Sequence, residues 1–227
     1  MSHVPVIAID GPSGSGKGTL TQTVAREMGF HILDSGALYR LIGLAGRRAG
    51  LDLTDEAAVT GIAERLDVRF EPSDGGEYPL DVYLEGDPVT QAIRTDAAGR
   101  DASTVAALAA VRLAIVDLQL AFRHAPGLVA DGRDMGTVVF PDADLKIFLT
   151  ASAQARAERR YKQLKTKDSG VSLHDLFLSI QARDKQDTER SVSPLKPADD
   201  AFVIDSTAMT IDEVVVEALR LVRERLG

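Results

Sequence analysis

Nine residues near the start of the chain, Gly11-Pro12-Ser13-Gly14-Ser15-Gly16-Lys17-Gly18-Thr19, have the types and spacing needed to hold phosphate. An apolar run, Val4-Pro5-Val6-Ile7-Ala8-Ile9, precedes them, and a helix-like stretch follows from Lys17. Strand, glycine-rich turn and helix together make the setting of a phosphate-binding loop. Glycines let the main chain turn sharply and bring backbone N–H groups close to phosphate oxygens. The open N-terminus of the next helix adds donors and partial positive charge. Lys17 adds a movable cation for the outer phosphates. An ordinary glycine turn would not need a lysine at this offset. One position departs from the general pattern, because Gly18 separates Lys17 from the hydroxyl of Thr19.

A second anion site is readable in Asp34-Ser35-Gly36-Ala37-Leu38-Tyr39-Arg40. It sets a hydroxyl at a helix start and an arginine about a turn and a half later. Taken alone, Ser35 is a helix cap and Arg40 a surface charge. Paired with the first loop, they suggest a donor and an acceptor. Further arginines follow at Arg133, within Asp131-Gly132-Arg133-Asp134, and at Arg156, Arg159, Arg160, Arg183 and Arg190. Charge on helices usually faces water, and Lys162, Lys165 and Lys167 are read that way. For the arginines, phosphoryl transfer supplies a specific need, since its rate depends on aligning two anions and neutralising spreading charge. The planar guanidinium fork suits phosphate oxygens. Asp131 follows three apolar residues and fits either a carboxylate holding Mg²⁺-bound water or a cap for the next turn.

The elements that must position these residues alternate strand and helix. Leu20, Val24 and Met28 recur at four-residue spacing and predict a helix over 17–28, stopped by Gly29. Residues 30–34 read as a short strand, and Ser35 as the cap of a helix reaching toward Gly50. Thr54 is the expected cap of a helix to about Leu66. Residues 66–70 and 80–84 alternate apolar and polar around Ser73-Asp74-Gly75-Gly76, predicting an antiparallel hairpin that Gly86-Asp87-Pro88 ends. Residues 95–124 read as helical, broken near 99–103 or around Ala109. Residues 127–131 and 145–149 are too apolar for a wet face and predict buried parallel strands. Helices over 153–167 and from 173 to about 185, a strand over 202–205 and a capping-box helix from Thr210 complete the chain. The expected fold is a three-layer α/β domain with a parallel sheet of about five strands. Ligands of such sheets bind beyond the strands' carboxyl ends, which here carry Asp10, Asp34, Asp131 to Asp134, Thr150 and Asp205.

Bulk properties narrow the function classes. The 227 residues suffice for one α/β core with small inserted lobes. A net charge of −8 argues against undirected affinity for nucleic acid or anionic membrane. The lack of cysteine excludes disulfides, thiolate zinc sites and a catalytic thiol. His3, His31, His124 and His174 are too scattered to form a ligand set. No stretch approaches a membrane span and no leader is visible, so a cytoplasmic protein is expected.

With these motifs assembled, the chain resembles the bacterial cytidylate kinase family, the CMP/dCMP kinases of the nucleoside monophosphate kinase superfamily. The likeness runs through Ile9 to Thr19, Asp34 to Arg40, Asp131 to Ala143, Arg183-Asp184 with Asp187 and Arg190, Ser193-Pro194-Leu195 and Ile204-Asp205-Ser206. The Gly18-Thr19 order is typical of that superfamily rather than of GTPases. The resemblance implies a P-loop kinase fold with a core (1–34, 101–155, 171–227), an acceptor-binding lobe with a small antiparallel insert (35–100) and a short lid (156–170). It implies transfer of the γ-phosphoryl of ATP, with Mg²⁺, to CMP or dCMP by a monomer. It marks Gly11 through Thr19 as the ATP cradle and Arg156, Arg159 and Arg160 as the lid arginines over ATP. Ser35, Arg40 and Arg133 become acceptor-phosphate ligands, with Tyr39 beside them. Ser103, Arg112 and Asp134 become the cytosine-reading set, and Asp187 the contact to the acceptor sugar. Lys17, Arg133, Arg183 and Arg190 become the catalytic cations, with Asp131 holding the metal through water. Other readings are a uridylate-, shikimate- or gluconate-type kinase, or a nucleotide switch. Guanine-selective switches use an Asn-Lys-x-Asp stretch, and this chain has no asparagine.

Overall fold

The computed structural model describes residues 3–72, 80–165 and 172–227. In chain order the first elements are β1 (Val6–Asp10), α1 (Lys17–Met28), β2 (His31–Asp34), α2 (Ser35–Arg48) and α3 (Glu56–Ala63). Next come β3 (Val68–Pro72), β4 (Leu80–Leu84), β5 (Asp87–Pro88), α4 (Asp96–Val105), α5 (Ala109–Ala114) and α6 (Val116–Leu120). The remainder is β6 (Leu128–Gly132), β7 (Leu145–Thr150), α7 (Ala153–Lys165), α8 (Leu173–Glu189), β8 (Phe202–Asp205) and α9 (Ile211–Leu226). The chain folds as two compact units, one running to Leu33 and resuming at Leu120, the other spanning Asp34–Gln119.

The first unit is built on the expected five-stranded sheet, ordered β2-β6-β1-β7-β8. β1 is buried along its whole length and pairs in parallel with β6 and β7. β8 extends the sheet in parallel beyond β7. Ile7, Ile9, Val129, Ile147, Leu149 and Ile204 form one core cluster with Leu20 and Val24 of α1 and Val214, Ala218 and Leu221 of α9. α1 begins after Gly16 and stops at Gly29, both in the left-handed conformation that favours glycine. α9 opens with the full capping box of Thr210 and Glu213. Because β1 sits in the middle of the sheet, everything leaving its carboxyl end emerges beside the ends of β6 and β7.

In the second unit, α2 packs its Ala37, Leu41 and Ala45 against Val82, Leu84, Val89 and Ile93. Along its length, α2 also lies close to α4. A Cβ at Gly43 would stand 2.9 Å from the Asp101 side chain, so the missing side chain sets this approach. Arg47 and Asp101 then pair at 2.8 Å.

Local expectations differ from the structure at several points. Asp34, not Ser35, caps α2, because its Oδ1 reaches the Ala37 N–H at 2.9 Å. For the same reason Asp55, not Thr54, caps α3. Gly86-Asp87-Pro88 does not simply end the hairpin. Glu85 and Gly86 turn with positive φ, and β5 pairs back onto β4 as a third strand. The predicted hairpin turn at 73–76 lies outside the described residues. The helical stretch after Thr95 breaks between α4 and α5, the second of the two places expected, and α8 runs on to Glu189. The second unit continues to Gln119, past the lobe boundary at 100, because α4 packs on α2 and α5 on α3. Residues 156–165 of the expected lid are regular helix α7, and the rest of that segment lies outside the described residues.

Candidate active site

The phosphate loop leaves β1 through a tight backbone path. Gly11, Gly14 and Gly16 have φ of 149°, 76° and 100°. At Gly11 a Cβ would lie 2.0 Å from the carbonyl oxygen of Leu149, in β7. The loop therefore rests on the neighbouring strand, and no side chain fits between them. Gly18 has open space around its Cα, which leaves the helix start unobstructed. The Ser15 hydroxyl is buried and has no hydrogen-bond partner among the described residues, as suits a group kept for a ligand.

Lys17 is buried at the start of α1, its Nζ donating to Pro12 O at 2.9 Å and standing 4.0 Å from Asp131 Oδ1. Burial, and then the nearby charge of Arg133, bring its pKa down to about 8; Arg183 pushes the same way. Two guanidiniums thus lie close enough to Lys17 to disfavour its charge, an effect that an incoming polyanion would relieve.

Two arginines hold Ser13, one from α7 and one from α8. Arg183 Nη1 donates to Ser13 Oγ at 3.0 Å. Arg156 is buried, with Nη1 donating to Ser13 O at 3.0 Å and Nε to Ala151 O at 2.9 Å. Its guanidinium also forms a two-pronged pair with Asp184, the residue after Arg183. Arg159 is tied to Ser206 and Met209 at the turn between β8 and α9. The structure thus places Arg156 and Arg159 in the frame of the site, while Arg160 lies part-exposed one residue along α7.

Asp131 is the last residue but one of β6, in register with Ile9, and Arg133 and Asp134 follow in the turn. Arg133 Nε donates to Asp187 of α8 at 2.9 Å. Asp134 is buried just before a π-helical turn, Met135–Val139. Asp10, the last residue of β1, accepts from the N–H groups of Met135 and Gly136, both at 2.8 Å. Burial raises its pKa to about 6, against the lowering effect of those two N–H groups. At the end of α8, Arg190 donates to Ser193 O, and Leu195 N–H to Asp187 O at 2.8 Å.

The second unit carries the other predicted residues. Asp34 caps α2 and pairs through its second oxygen with Arg94 at 3.0 Å. This leaves the buried Ser35 hydroxyl unneeded as a cap. Arg40 Nη1 donates to Ile93 O at 2.6 Å and Thr95 O at 3.2 Å, on either side of Arg94. Arg112 is buried, donates to Ala106 O at 3.1 Å and lies 5.5 Å from the centre of the Tyr39 ring. Ser103, on α4, donates to Gly99 O at 3.2 Å. Ser35, Tyr39, Arg40, Ser103 and Arg112 therefore belong to one unit, and Arg133, Asp134 and Asp187 to the other.

Residues 7–224 match the protein family described as Cytidylate kinase. The chain belongs to the cytidylate kinase family. A cytidylate kinase of Stutzerimonas stutzeri (strain A1501) is 56% identical over 222 residues, covering 98% of this chain and 96% of that protein. One from Pseudomonas aeruginosa (strain UCBPP-PA14) is 57% identical over 217 residues, covering 96% and 94%. Among solved structures, a gluconokinase from Sinorhizobium meliloti 1021 aligns over 97% of this chain and 93% of its own, at 16% identity and a TM-score of 0.48, too slight a likeness to argue from. Membership of the cytidylate kinase family does not favour the readings as a shikimate-type kinase or a nucleotide switch.

Three residues of the site escaped sequence reasoning. Asp10 stood out as a strand-end carboxylate, but nothing local revealed that it grips a turn more than a hundred residues away. Arg94 carries no sequence signal beyond its charge, and Asp184 entered only as part of the family likeness, since their partners Asp34 and Arg156 come from other elements.

Proposed function

We propose that this chain transfers the γ-phosphoryl group of ATP to CMP or dCMP, giving ADP and CDP or dCDP. The observation that carries the reading is the convergence of Lys17, Arg133 and Arg183 on a glycine loop that leaves the central strand, in a chain belonging to the cytidylate kinase family. Gly11 through Thr19 receive the donor's phosphates on backbone N–H groups, with Lys17 neutralising the outer ones. Arg133, Arg183 and Arg190 supply charge as it spreads over the migrating group. Arg156 and Arg159 hold the loop and its surroundings in shape, and Arg160, part-exposed on α7, is the third lid arginine on the donor side.

On the acceptor side, Ser35, Arg40 and Arg133 bind the CMP phosphate, with Tyr39 supporting Arg112. Asp134 accepts from the exocyclic amine of cytosine, Arg112 and Ser103 donate to its ring nitrogen and carbonyl, and Asp187 contacts the sugar. Uracil presents a carbonyl where cytosine has the amine, so two acceptors would face each other. Buried polar groups left without partners are what reject the wrong base.

Among the described residues no cluster of three or more acidic or histidine side chains could cage a metal ion. Mg²⁺ keeps most of its waters and would arrive on the nucleotide. Asp131, part-exposed at the end of β6, is the residue that would hold it through water. When bound, the ion would neutralise charge on the donor's phosphates. On this reading the protein is a cytoplasmic monomer, and its net charge of −8 argues against nucleic-acid and anionic-membrane partners. No single helix among the described residues is long and apolar enough to cross a membrane.

A coupled assay of ADP release over a panel of nucleoside monophosphates tests the reading. CMP and dCMP should be the preferred acceptors, and ATP turnover without acceptor should be negligible. Asp134→Ala should lose the preference for CMP over UMP. ATP hydrolysis indifferent to CMP would refute the assignment.

A further inference from the structure

We propose that Asp10 is a positioning residue that fixes the acceptor-reading turn, Arg133 and Asp134, against the phosphate loop. The proposal rests on the CMP kinase reading of the site. Asp10 is joined by one peptide bond to Gly11, the first residue of the loop. Its two carboxylate oxygens each accept one N–H, from Met135 and Gly136, at 2.8 Å. These are the first residues after Asp134. One side chain thus belongs covalently to the donor loop and by hydrogen bonds to the turn carrying an acceptor-phosphate ligand and the base-reading carboxylate.

Several features argue that the grip is rigid. Asp10 and Asp134 are both almost fully buried, at 6% and 2% exposure. Hydrogen bonds from N–H to an ionised carboxylate are short and strong, and two of them fix both position and orientation. β1 and β6 pair in register up to Asp10 and Gly132, so the sheet delivers the turn to Asp10. The turn itself is π-helical, a form that is rare in isolation and concentrated at functional sites. The turn is also closely packed at Gly136, where a Cβ would lie 3.1 Å from Lys146 Cδ and 3.4 Å, ordinary contact, from Asp10 Oδ2. Asp10 touches neither nucleotide in this scheme. It acts through Arg133 and Asp134, and its loss should show in acceptor discrimination more than in donor binding.

The test compares the wild type with Asp10→Asn and Gly136→Ala in four measurements. These are kcat and KM for CMP and UMP at saturating ATP, calorimetric binding of a non-hydrolysable ATP analogue, thermal unfolding, and amide hydrogen exchange across 134–137. Asparagine offers one acceptor oxygen and sets an NH₂ against the other N–H. Asp10→Asn should therefore lower the CMP-over-UMP ratio of kcat/KM by at least about tenfold, the scale of one unsatisfied buried donor. Exchange at Met135 and Gly136 should accelerate, while the analogue's Kd should move by no more than about twofold, as for a site left intact. Gly136→Ala keeps the carboxylate but presses a methyl on the Lys146 stem and so strains the turn that Asp10 holds; it should shift the ratio and the exchange in the same direction by less. If Asp10→Asn does not fold, Gly136→Ala decides by the same two readouts. A folded variant with an unchanged CMP-over-UMP ratio, or with CMP and UMP turnover lowered equally, would overturn the proposal. A wild type inert toward CMP would instead sink the kinase reading, whereas the exchange measurement judges the grip of Asp10 without any turnover.

Discussion

Arg133 and Asp187 are locked together, Nε to carboxylate at 2.9 Å, with both side chains mostly out of water. Arginine presents its fork in a plane, and fixing one edge on Asp187 leaves the orientation of the other edge determined. The pair thus aims Arg133 by holding it from α8. Asp187→Ala should strand the arginine and lower kcat/KM for CMP by about a hundredfold, the scale for breaking a buried pair from one side. Steady-state kinetics of the variant with CMP provide the check. Unaltered kcat/KM in the variant would show that Arg133 needs no such support.

Lys17 should impose a basic limb on the pH–rate profile. With its pKa brought down to about 8, its charge is lost earlier than for an ordinary lysine at 10.5. kcat/KM for ATP reports the free protein and should fall above about pH 8. In kcat, measured with donor bound, phosphate charge favours the ammonium and the limb should move to higher pH. The sign for stability follows from proton binding. Between about pH 8 and 10.5 the unfolded chain holds this proton more tightly than the folded one, so the lysine's contribution rises with pH there. Asp10 has the opposite slope, since its raised pKa favours the folded form at low pH and that gain is lost as pH rises through about 6. Lys17→Ala should cost at least about a hundredfold in kcat, comparable to one preorganised charge contact. Coincident limbs in kcat and kcat/KM would argue against Lys17 as the titrating group.

Two glycines of the same loop should behave in opposite ways. Gly11→Ala would force a methyl to within 2.0 Å of Leu149 O and should cost several kcal/mol or prevent folding. Gly18→Ala meets nothing within 4 Å and should leave unfolding within about 0.5 kcal/mol of the wild type. Chemical denaturation of both proteins checks the contrast. Equal stability of the two variants would mean that the loop does not rest on β7.

Arg156→Ala should act first on stability. The change removes a buried guanidinium that meets Ser13, Ala151 and Asp184 and leaves the carboxylate without its partner. Breaking such a pair costs about 3–5 kcal/mol, or about 10 °C in Tm for a protein of this size. Calorimetric unfolding together with ATP-analogue binding distinguishes this from a residue that only meets ligand, for which Tm of the free protein would stay unchanged.

The sequence was most informative where function depends on backbone path and on elements regular enough to announce themselves. Gly11 to Lys17 was legible because its glycines have no other purpose at that spacing. The parallel strands were legible because residues 128–131 and 145–149 have no polar face to offer water. The capping box at Thr210 and Glu213 is a local exchange of hydrogen bonds and appeared as expected. What stayed hidden was the partnership of distant charges. Arg156 looked like a cation for a lid, since charge on a helix does not reveal that Ser13 O and Asp184 lie within its reach. Ser35 looked like a cap because Asp34, one residue earlier, was assigned to the strand. A one-residue shift in a helix start is below what side-chain preference alone can settle.

The strand order has a bearing on how the protein comes into being. β1, the first strand made, pairs only with β6 and β7, which begin at Leu128 and Leu145. Until those segments leave the ribosome, the glycine loop has neither the Leu149 carbonyl beneath it nor the 135–136 amides beside Asp10. The Asp34–Gln119 unit, by contrast, closes on contacts within its own span and can form first. The motif that is read earliest in the chain is therefore among the last to acquire its working shape during synthesis.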